Sequence, residues 1–368
     1  MYVLITGGAG FIGSHVADCL LRAGHTVRAL DNLCLQVHPD GSRPDYLDPE
    51  AELIQGDVRD KRIVEKSLKN TDAVIHLAAA VGVGQSMYEI DHYTDVNNRG
   101  TAVLLECLIR RPVERLVIAS SMSIYGEGLY QRNDGSFLED CERTIGQLRN
   151  ADWEVHDEQG QTVNPVPTPE SKKPCLSSVY ALSKYDQERL CLMIGRTYDI
   201  PVVALRFFNA YGTRQALTNP YTGVLAIFAS RLLNNRPTLI FEDGRQRRDF
   251  VSVYDIAEAC RLTLEKPEAA GQVFNIGSGR PFSIREVARK LAHAMNKDIE
   301  PEIIGRYRAG DIRHCYADIS RARDILGYRS KVWLESGLQE LAEWLQGQHV
   351  QDHAEKASAE LAARGLTL

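Results

Sequence analysis

The chain has 368 residues, 25% of them charged, and a formal net charge of −6, a mild acidity that gives no footprint for nucleic acid. No apolar run approaches the about 18 residues that a membrane span needs. The first residues enter a strand directly and leave no signal-peptide pattern, so a cytoplasmic protein with no membrane partner is expected. The eight cysteines are scattered without a C-x-x-C spacing, which predicts reduced thiols and no metal site.

Val3-Leu4-Ile5 reads as a buried strand that runs into Thr6-Gly7-Gly8-Ala9-Gly10-Phe11-Ile12-Gly13. Apolar residues then recur at helical spacing from Ser14 to Ala23, Gly24 ends the pattern, and Thr26 to Leu30 is a second strand closing on Asp31. Strand, glycine turn, helix, strand and acid in that order predict a Rossmann-type doubly wound parallel sheet. The glycines let the backbone turn and approach a pyrophosphate, and the helix start offers free N–H groups to it. Gly7, Gly10, Phe11, Ile12 and Gly13 are therefore candidates for the phosphates of a dinucleotide, and Asp31 with Asn32 for its ribose. Asp31 has no Arg or Lys in the next ten positions, so a 2′-phosphate would meet a carboxylate and no cation. NAD is the expected cofactor.

Residues 32–50 are rich in Pro, Gly and Asp, and Leu53-Ile54 begins a short strand leading to Gly56-Asp57-Val58. Asp57 and Val58 either lie at the adenine edge or, for Asp57, cap the helix of residues 60–69. Ala73 to Ala80 reads as the next buried strand, whose small residues Ala78, Ala79 and Ala80 let the cofactor lie close, with His76 a satisfied core histidine. After a polar loop at 81–95, Asn97 to Arg110 is helical and apolar on more than one face, which predicts contact with the sheet and with a second copy of the chain.

Leu116 to Ala119 is another buried strand, followed by the hydroxyl cluster Ser120-Ser121-Met122-Ser123, at the sheet end where open α/β folds bind ligands. Residues 127–178 are polar and Pro-containing, an insertion expected to lie over the site as a partly ordered lid. The helix from Val179 to Tyr198 places Tyr180 and Lys184 one turn apart on one face. A cation at that spacing favours the phenolate, which makes tyrosine usable as a general base near neutral pH. A serine such as Ser121 aimed at the same oxygen would hold the alcohol. Further on, a strand is expected at 201–206, a helix at 223–234 and a strand at 239–241. Beyond the basic cluster Arg245, Arg247 and Arg248, Asp255 is expected to cap the helix 256–264 and Ser283 to open the helix 284–295 through a capping box. Amphipathic helices at 334–345 and about 352–363 end the chain. The expected division is a cofactor domain over 1–205 with returning segments near 248–278, a smaller substrate lobe over 206–346, and a helical tail over 347–368.

Gly7-x-x-Gly10-x-x-Gly13, Asp31, Asp57-Val58, Ala78-Ala79-Ala80, Ser121 and Tyr180-x-x-x-Lys184 together resemble the extended short-chain dehydrogenase/reductase family of nucleotide-sugar epimerases and dehydratases. Arg206 to Gly212, Arg248-Asp249-Phe250-Val251 and Arg308-Ala309-Gly310-Asp311 resemble that family's substrate lobe, so the likeness spans about residues 1–345. The resemblance implies that Tyr180 is the base, that Lys184 binds the nicotinamide ribose and tunes Tyr180, and that Ser121 bonds the sugar O4. It places Ser123, Asn209, Arg248 and Arg308 on the nucleotide-diphosphate sugar. The family's dehydratases carry an Asp-Glu pair directly after the catalytic hydroxyl, where this chain has Met122-Ser123; 4-epimerization is expected. Residues 79–90, 311–318 and the Ala/Glu-rich tail are similar to dTDP-L-rhamnose 4-epimerases, which implies interconversion of dTDP-L-rhamnose and dTDP-6-deoxy-L-talose through oxidation at C4. Two alternatives stand beside this: the same chemistry on a UDP-hexose, and a catalytically silent nucleotide sensor on the same fold.

Overall fold

The computed structural model describes residues 1–308, 310–348 and 350–367. Its centre is a seven-stranded sheet in the order Val273–Ile276, Val202–Phe207, Arg115–Ser121, Ala73–His76, Tyr2–Thr6, Thr26–Asp31, Glu52–Gln55. Every pairing in it is parallel. The near-continuous apolar strands follow from that arrangement, since a parallel sheet is covered on both faces. Side chains alternate between two cores. Val3, Ile5, Val117, Val203 and Phe274 face one way, towards the helices Phe11–Arg22 and Val253–Glu265. Leu4, Val74, Leu116, Ile118 and Ala204 face the other, towards Lys61–Ser67, Gly100–Arg110 and Val179–Thr197.

The strand order reverses between Tyr2–Thr6, which pairs with Thr26–Asp31 on one side and Ala73–His76 on the other. A crevice opens at such a switch point beyond the carboxyl ends of the strands. The Gly7–Gly13 turn and Ala78–Ala80 border it.

A second lobe has its own core of Phe228, Ile240, Phe250, Val287, Leu291, Leu338 and Leu341. The helices Val224–Leu233, Ile284–Ala294 and Leu334–Leu345 enclose it. The strand Arg247–Ser252 joins Asn209–Tyr211, Pro281–Ser283 and His314–Cys315 there. Among the described residues no helix is long and apolar enough to cross a membrane.

Several local expectations change. The strand expected to reach Ala80 ends at His76, and the polar stretch after it contains the short helices Val83–Ser86 and Ile90–Tyr93. Asp60, not Asp57, caps the helix Lys61–Ser67 by accepting from Arg62 N and Ile63 N. Ser252 caps Val253–Glu265, whereas Asp255 accepts from Ser330 Oγ and from the backbone N–H groups of Lys331 and Val332. The Ser283 cap is as expected, with its hydroxyl accepting from Glu286 N at 3.1 Å.

The polar insertion folds into a three-stranded antiparallel sheet of Leu129–Gln131, Phe137–Leu138 and Asn164–Val166. It has a small core of Tyr130, Leu138, Cys141, Val155 and Val163. Strands of two or three residues are too short to show a period in sequence. A buried ion network anchors the segment to the second lobe. Arg143 bonds Glu127 at 3.1 Å and Glu242 at 2.7 Å, and the fully buried Arg313 bonds Glu242 at 2.9 Å and Asp243 at 2.6 Å.

Candidate active site

The glycine turn separates what packing demands from what it leaves open. Gly7 has φ +69, and a Cβ on it would lie 2.9 Å from Ala78 N; a Cβ on Gly13 would fall on the Gly7 carbonyl oxygen. Both must be glycine for the protein's own packing. Gly10 differs, because a Cβ there would meet nothing nearer than Gly7 O at 3.4 Å, an ordinary contact. It opens the helix at Phe11 and Ile12 without a side-chain cap. Space and uncapped N–H groups at a helix start suit an anionic ligand, so the residues present fit a dinucleotide pyrophosphate.

Asp31 closes the neighbouring strand and accepts from Ala9 N and Leu33 N, each at 3.0 Å. The surrounding charges match a ribose diol better than a 2′-phosphate. His38 Nε2 lies 3.9 Å from Asp31, but burial lowers its pKa and favours the neutral ring. Arg43 spends its Nη2 on the carbonyls of Asp48 at 2.7 Å and Ala51 at 3.2 Å. Asn32 Nδ2 donates to Asp57 at 3.1 Å. Asp57 also pairs with Arg59 at 2.7 Å, and hydrogen bonds from Arg59 hold its pKa down at about 2. Val58 packs on Gly100, where a Cβ would sit 2.8 Å from Val58 Cγ2.

Ala78–Ala80 is held from behind. Ala78 N donates to Thr6 Oγ1 at 3.2 Å, Ala80 N to Asn97 Oδ1 at 2.7 Å, and Asn97 Nδ2 to Ala80 O and Ser183 Oγ. Asn97 thus ties the cofactor crevice to the helix Val179–Thr197. Sequence reading passed over it because its partners are remote in the chain.

Ser178 caps that helix by accepting from Ala181 N at 3.1 Å. Its register against the sheet is set by a buried cluster: Arg206 donates to Glu188 at 2.7 and 3.0 Å, and Ser120 Oγ to Glu188 at 2.6 Å. Tyr180 and Ser121 are brought together as a result. Burial raises the Tyr180 pKa, and the nearby Ser121 hydroxyl opposes the rise. Ser121 Oγ is 3.2 Å from Ser123 Oγ. The Lys184 ammonium donates to Gln187 Oε1 at 2.7 Å. Burial lowers the Lys184 pKa to about 8.

Behind Lys184 runs a buried relay. Gln187 Nε2 donates to Thr101 Oγ1 at 2.6 Å, and Thr101 Oγ1 donates to Asn97 O at 2.6 Å. His76 Nε2 is 3.0 Å from Thr101 Oγ1 and His76 Nδ1 is 2.7 Å from Thr6 Oγ1. Since the Thr101 proton goes to Asn97 O, His76 donates through Nε2 and accepts from Thr6 through Nδ1. Burial, with Lys184 nearby, lowers the His76 pKa to about 3. The histidine is a satisfied, neutral core residue, as its position in a buried strand implies.

Ser123, Asn209, Arg248 and Arg308 line one cleft between the lobes, a cavity of about 300 Å³. Arg248 donates from Nη1 to Arg313 O at 3.0 Å and from Nη2 to Ile312 O. Arg308 donates from Nε to Asp311 at 2.9 Å and lies 4.5 Å over the Phe241 ring. Ala309 of this motif lies outside the described residues. Two buried acceptors on the cleft lining, Asn209 Oδ1 and Gln246 Oε1, have no partner among the described residues. Buried acceptors left in this way suit a ligand carrying N–H or O–H donors. Gln246 escaped the sequence reading because it belongs to no motif. Val83, Met87 and Met122 give the cleft lining apolar surface as well. Among the described residues no group of His, Cys, Asp and Glu could hold a metal ion.

Residues 3–144 and 158–277 match the NAD dependent epimerase/dehydratase family. A dTDP-L-rhamnose 4-epimerase of Burkholderia thailandensis is 36% identical over 93% of this chain and 94% of its own. A putative UDP-glucose 4-epimerase of Methanocaldococcus jannaschii is 32% identical over 93% and 98%. The crystal structure of a UDP-glucuronic acid 4-epimerase from Bacillus cereus, in complex with UDP-glucuronic acid and NAD, superposes with a TM-score of 0.77 at 26% identity over 94% of this chain and 99% of that one. With its parallel sheet and open glycine crevice, the chain belongs to the NAD dependent epimerase/dehydratase family and is an epimerase, an isomerase that works with NAD.

Proposed function

We propose that the protein is a nucleotide-sugar 4-epimerase that interconverts dTDP-L-rhamnose and dTDP-6-deoxy-L-talose. The observation that carries the reading is the Ser121–Tyr180 pair, followed in the chain by Met122 and Ser123. Bound NAD supplies the hydride acceptor and then the donor at sugar C4, together with positive charge beside Tyr180. Phe11, Ile12 and the space at Gly10 receive its pyrophosphate, Asp31 with Asn32 its ribose, and Asp57 with Val58 the adenine edge.

Ser121 donates to or accepts from the sugar O4, and Tyr180 takes the O4 proton as C4 is oxidised, returning it when the sugar is reduced on the other face. Lys184 is the cation assigned to favour the Tyr180 phenolate; burial lowers its pKa to about 8, which still leaves it mostly charged at neutral pH. Met122 and Ser123 hold no base for C5, so elimination has no agent there. Arg248 and Arg308 bring positive charge to the diphosphate, and Asn209 supplies an acceptor and donor. The apolar side chains of Val83, Met87 and Met122 on the cleft lining suit the methyl group of a 6-deoxy sugar. Similarity to UDP-glucose 4-epimerases favours a UDP-hexose as the second reading.

The test is a panel of dTDP- and UDP-sugars, with products identified by NMR. Turnover of dTDP-L-rhamnose above all UDP-sugars supports the first reading. Turnover of UDP-glucose or UDP-N-acetylglucosamine alone would replace it with the second. A homodimer belongs to the same proposal, since the helix Val179–Thr197 leaves Leu182 and Met193 about half exposed on its outer side.

A further inference from the structure

The C-terminal segment has no role in anything described so far, yet it sits on the cleft. Ala357, Leu361 and Leu366 line the same cavity as Ser123, Asn209 and Arg308. The helix Ala354–Ala363 touches both lobes. On the cofactor side, Leu361 Cδ2 lies 3.2 Å from the Cβ position of Gly84, and the Arg364 guanidinium lies 4.1 Å over the Tyr88 ring. On the substrate side, Glu360 Oε2 accepts from Tyr221 OH at 2.6 Å, and Thr367 forms an antiparallel bridge with Arg308. Tyr88 OH, from the first side, reaches both Tyr221 OH at 2.7 Å and Glu360 at 3.4 Å. At the root of the segment, Asp352 pairs with the buried Arg231 at 3.2 Å.

We propose that residues 353–367 are a closing wall of the nucleotide site, a lid hinged after Asp352 and latched by the Glu360–Tyr221–Tyr88 hydroxyl cluster. Three features carry it. The root is fixed by a buried ion pair, whereas the tip is held by the hydroxyl–carboxylate cluster, the Leu361 contact at Gly84, the Arg364–Tyr88 stacking and a single bridge to Arg308. None of these is an ion pair, so the tip opens first. The cavity it leaves, about 300 Å³, is at the low end of the about 300–1,000 Å³ usual for ligand pockets. The apolar side chains facing the cavity are those a nucleobase would pack on once the helix closes again. The inference rests on the nucleotide-sugar reading of the cleft.

The test compares the full chain, a chain ending at Asp352 and the full-length Glu360→Gln variant. Ending at Asp352 keeps the nearer partner of Arg231, at 3.2 Å, and removes only Glu355 at 3.5 Å. Association and dissociation of dTDP and of UDP are followed by stopped flow. A lid limits entry as well as exit, so shortening raises the association rate by about fivefold or more and the dissociation rate by about tenfold or more. Glu360→Gln moves both the same way by less. An association rate unchanged within about twofold, with normal binding, would show a fixed wall and overturn the lid alone. Failure of every chain to bind either nucleotide would overturn the nucleotide reading and the lid with it. If the shortened chain does not fold, hydrogen exchange in the intact protein decides. Amides of 354–363 exchange faster without dTDP or UDP if the segment opens, and equal exchange overturns the lid.

Discussion

Alanine at Gly10 and at Gly13 should separate cofactor binding from folding. At Gly10 the new Cβ meets only Gly7 O, at 3.4 Å, and φ is an ordinary −74. The fold loses no more than the difference between glycine and alanine at a helix N-cap, about 0.5–1 kcal/mol. The same methyl group projects into the space assigned to the pyrophosphate. NAD affinity should fall at least tenfold, or about 1.4 kcal/mol, with Phe11 and Ile12 left in place. Gly13 behaves in the opposite way, since its Cβ would overlap the Gly7 carbonyl oxygen inside the helix. Overpacking against backbone that cannot give should cost more than about 3 kcal/mol. Thermal melting with and without NAD, together with calorimetric titration, reads both effects. Gly10→Ala should melt within about 2 °C of the parent without ligand and lose the upward shift that NAD gives. Gly10→Ala binding NAD as tightly as the parent would refute the placement of the pyrophosphate, and Gly13→Ala as stable as the parent would refute the packing argument behind it.

Tyr180→Phe removes only the ionisable oxygen, so turnover should fall by about 10²–10⁴ while calorimetry still finds NAD bound; near-normal turnover would move the base elsewhere. Product formed in heavy water should carry no deuterium at C3, C4 or C5, because Met122 and Ser123 provide no base there; deuterium at C5 in its mass spectrum would replace epimerization at C4 with dehydratase or 3,5-epimerase chemistry. His76 stays neutral in the folded state, its pKa lowered to about 3 against 6.5 when unfolded. Folding thus disfavours its proton: the contribution is complete above pH 6.5 and is lost as pH falls towards 3. At about 1.4 kcal/mol per unit the loss is roughly 3–5 kcal/mol. Urea unfolding of His76→Gln should show a shallower decline between pH 6.5 and 4, and an unchanged slope would count against it. Sedimentation at micromolar concentration should find a dimer that Leu182→Glu converts to monomer; a parent that sediments as monomer would end the dimer proposal.

Local spacing made one half of the candidate site readable as a geometry. The glycine turn, Asp31 and the Tyr180–Lys184 pair act through one turn of helix or the end of one strand, so each carries its geometry in a few adjacent residues. The buried strands were readable for the same reason, because a parallel sheet covered on both faces leaves an unbroken apolar run. Capping was less secure. Asp57 stands three residues before Asp60 and could be told from it only by where the helix begins, and Asp255 was drawn to the N–H groups of Lys331 and Val332, a loop far along the chain. The remainder depended on partners that the sequence separates widely. Asn97 meets Ala80 and Ser183, Gln187 meets Thr101, and Arg313 finds Glu242 and Asp243. The polar insertion gained its order from such contacts, and the C-terminal helix its place on the cleft. Amphipathic spacing shows that a helix has a face to bury, but not which surface will take it; that was decided when both lobes brought Gly84, Tyr88, Tyr221 and Arg308 to one cleft mouth.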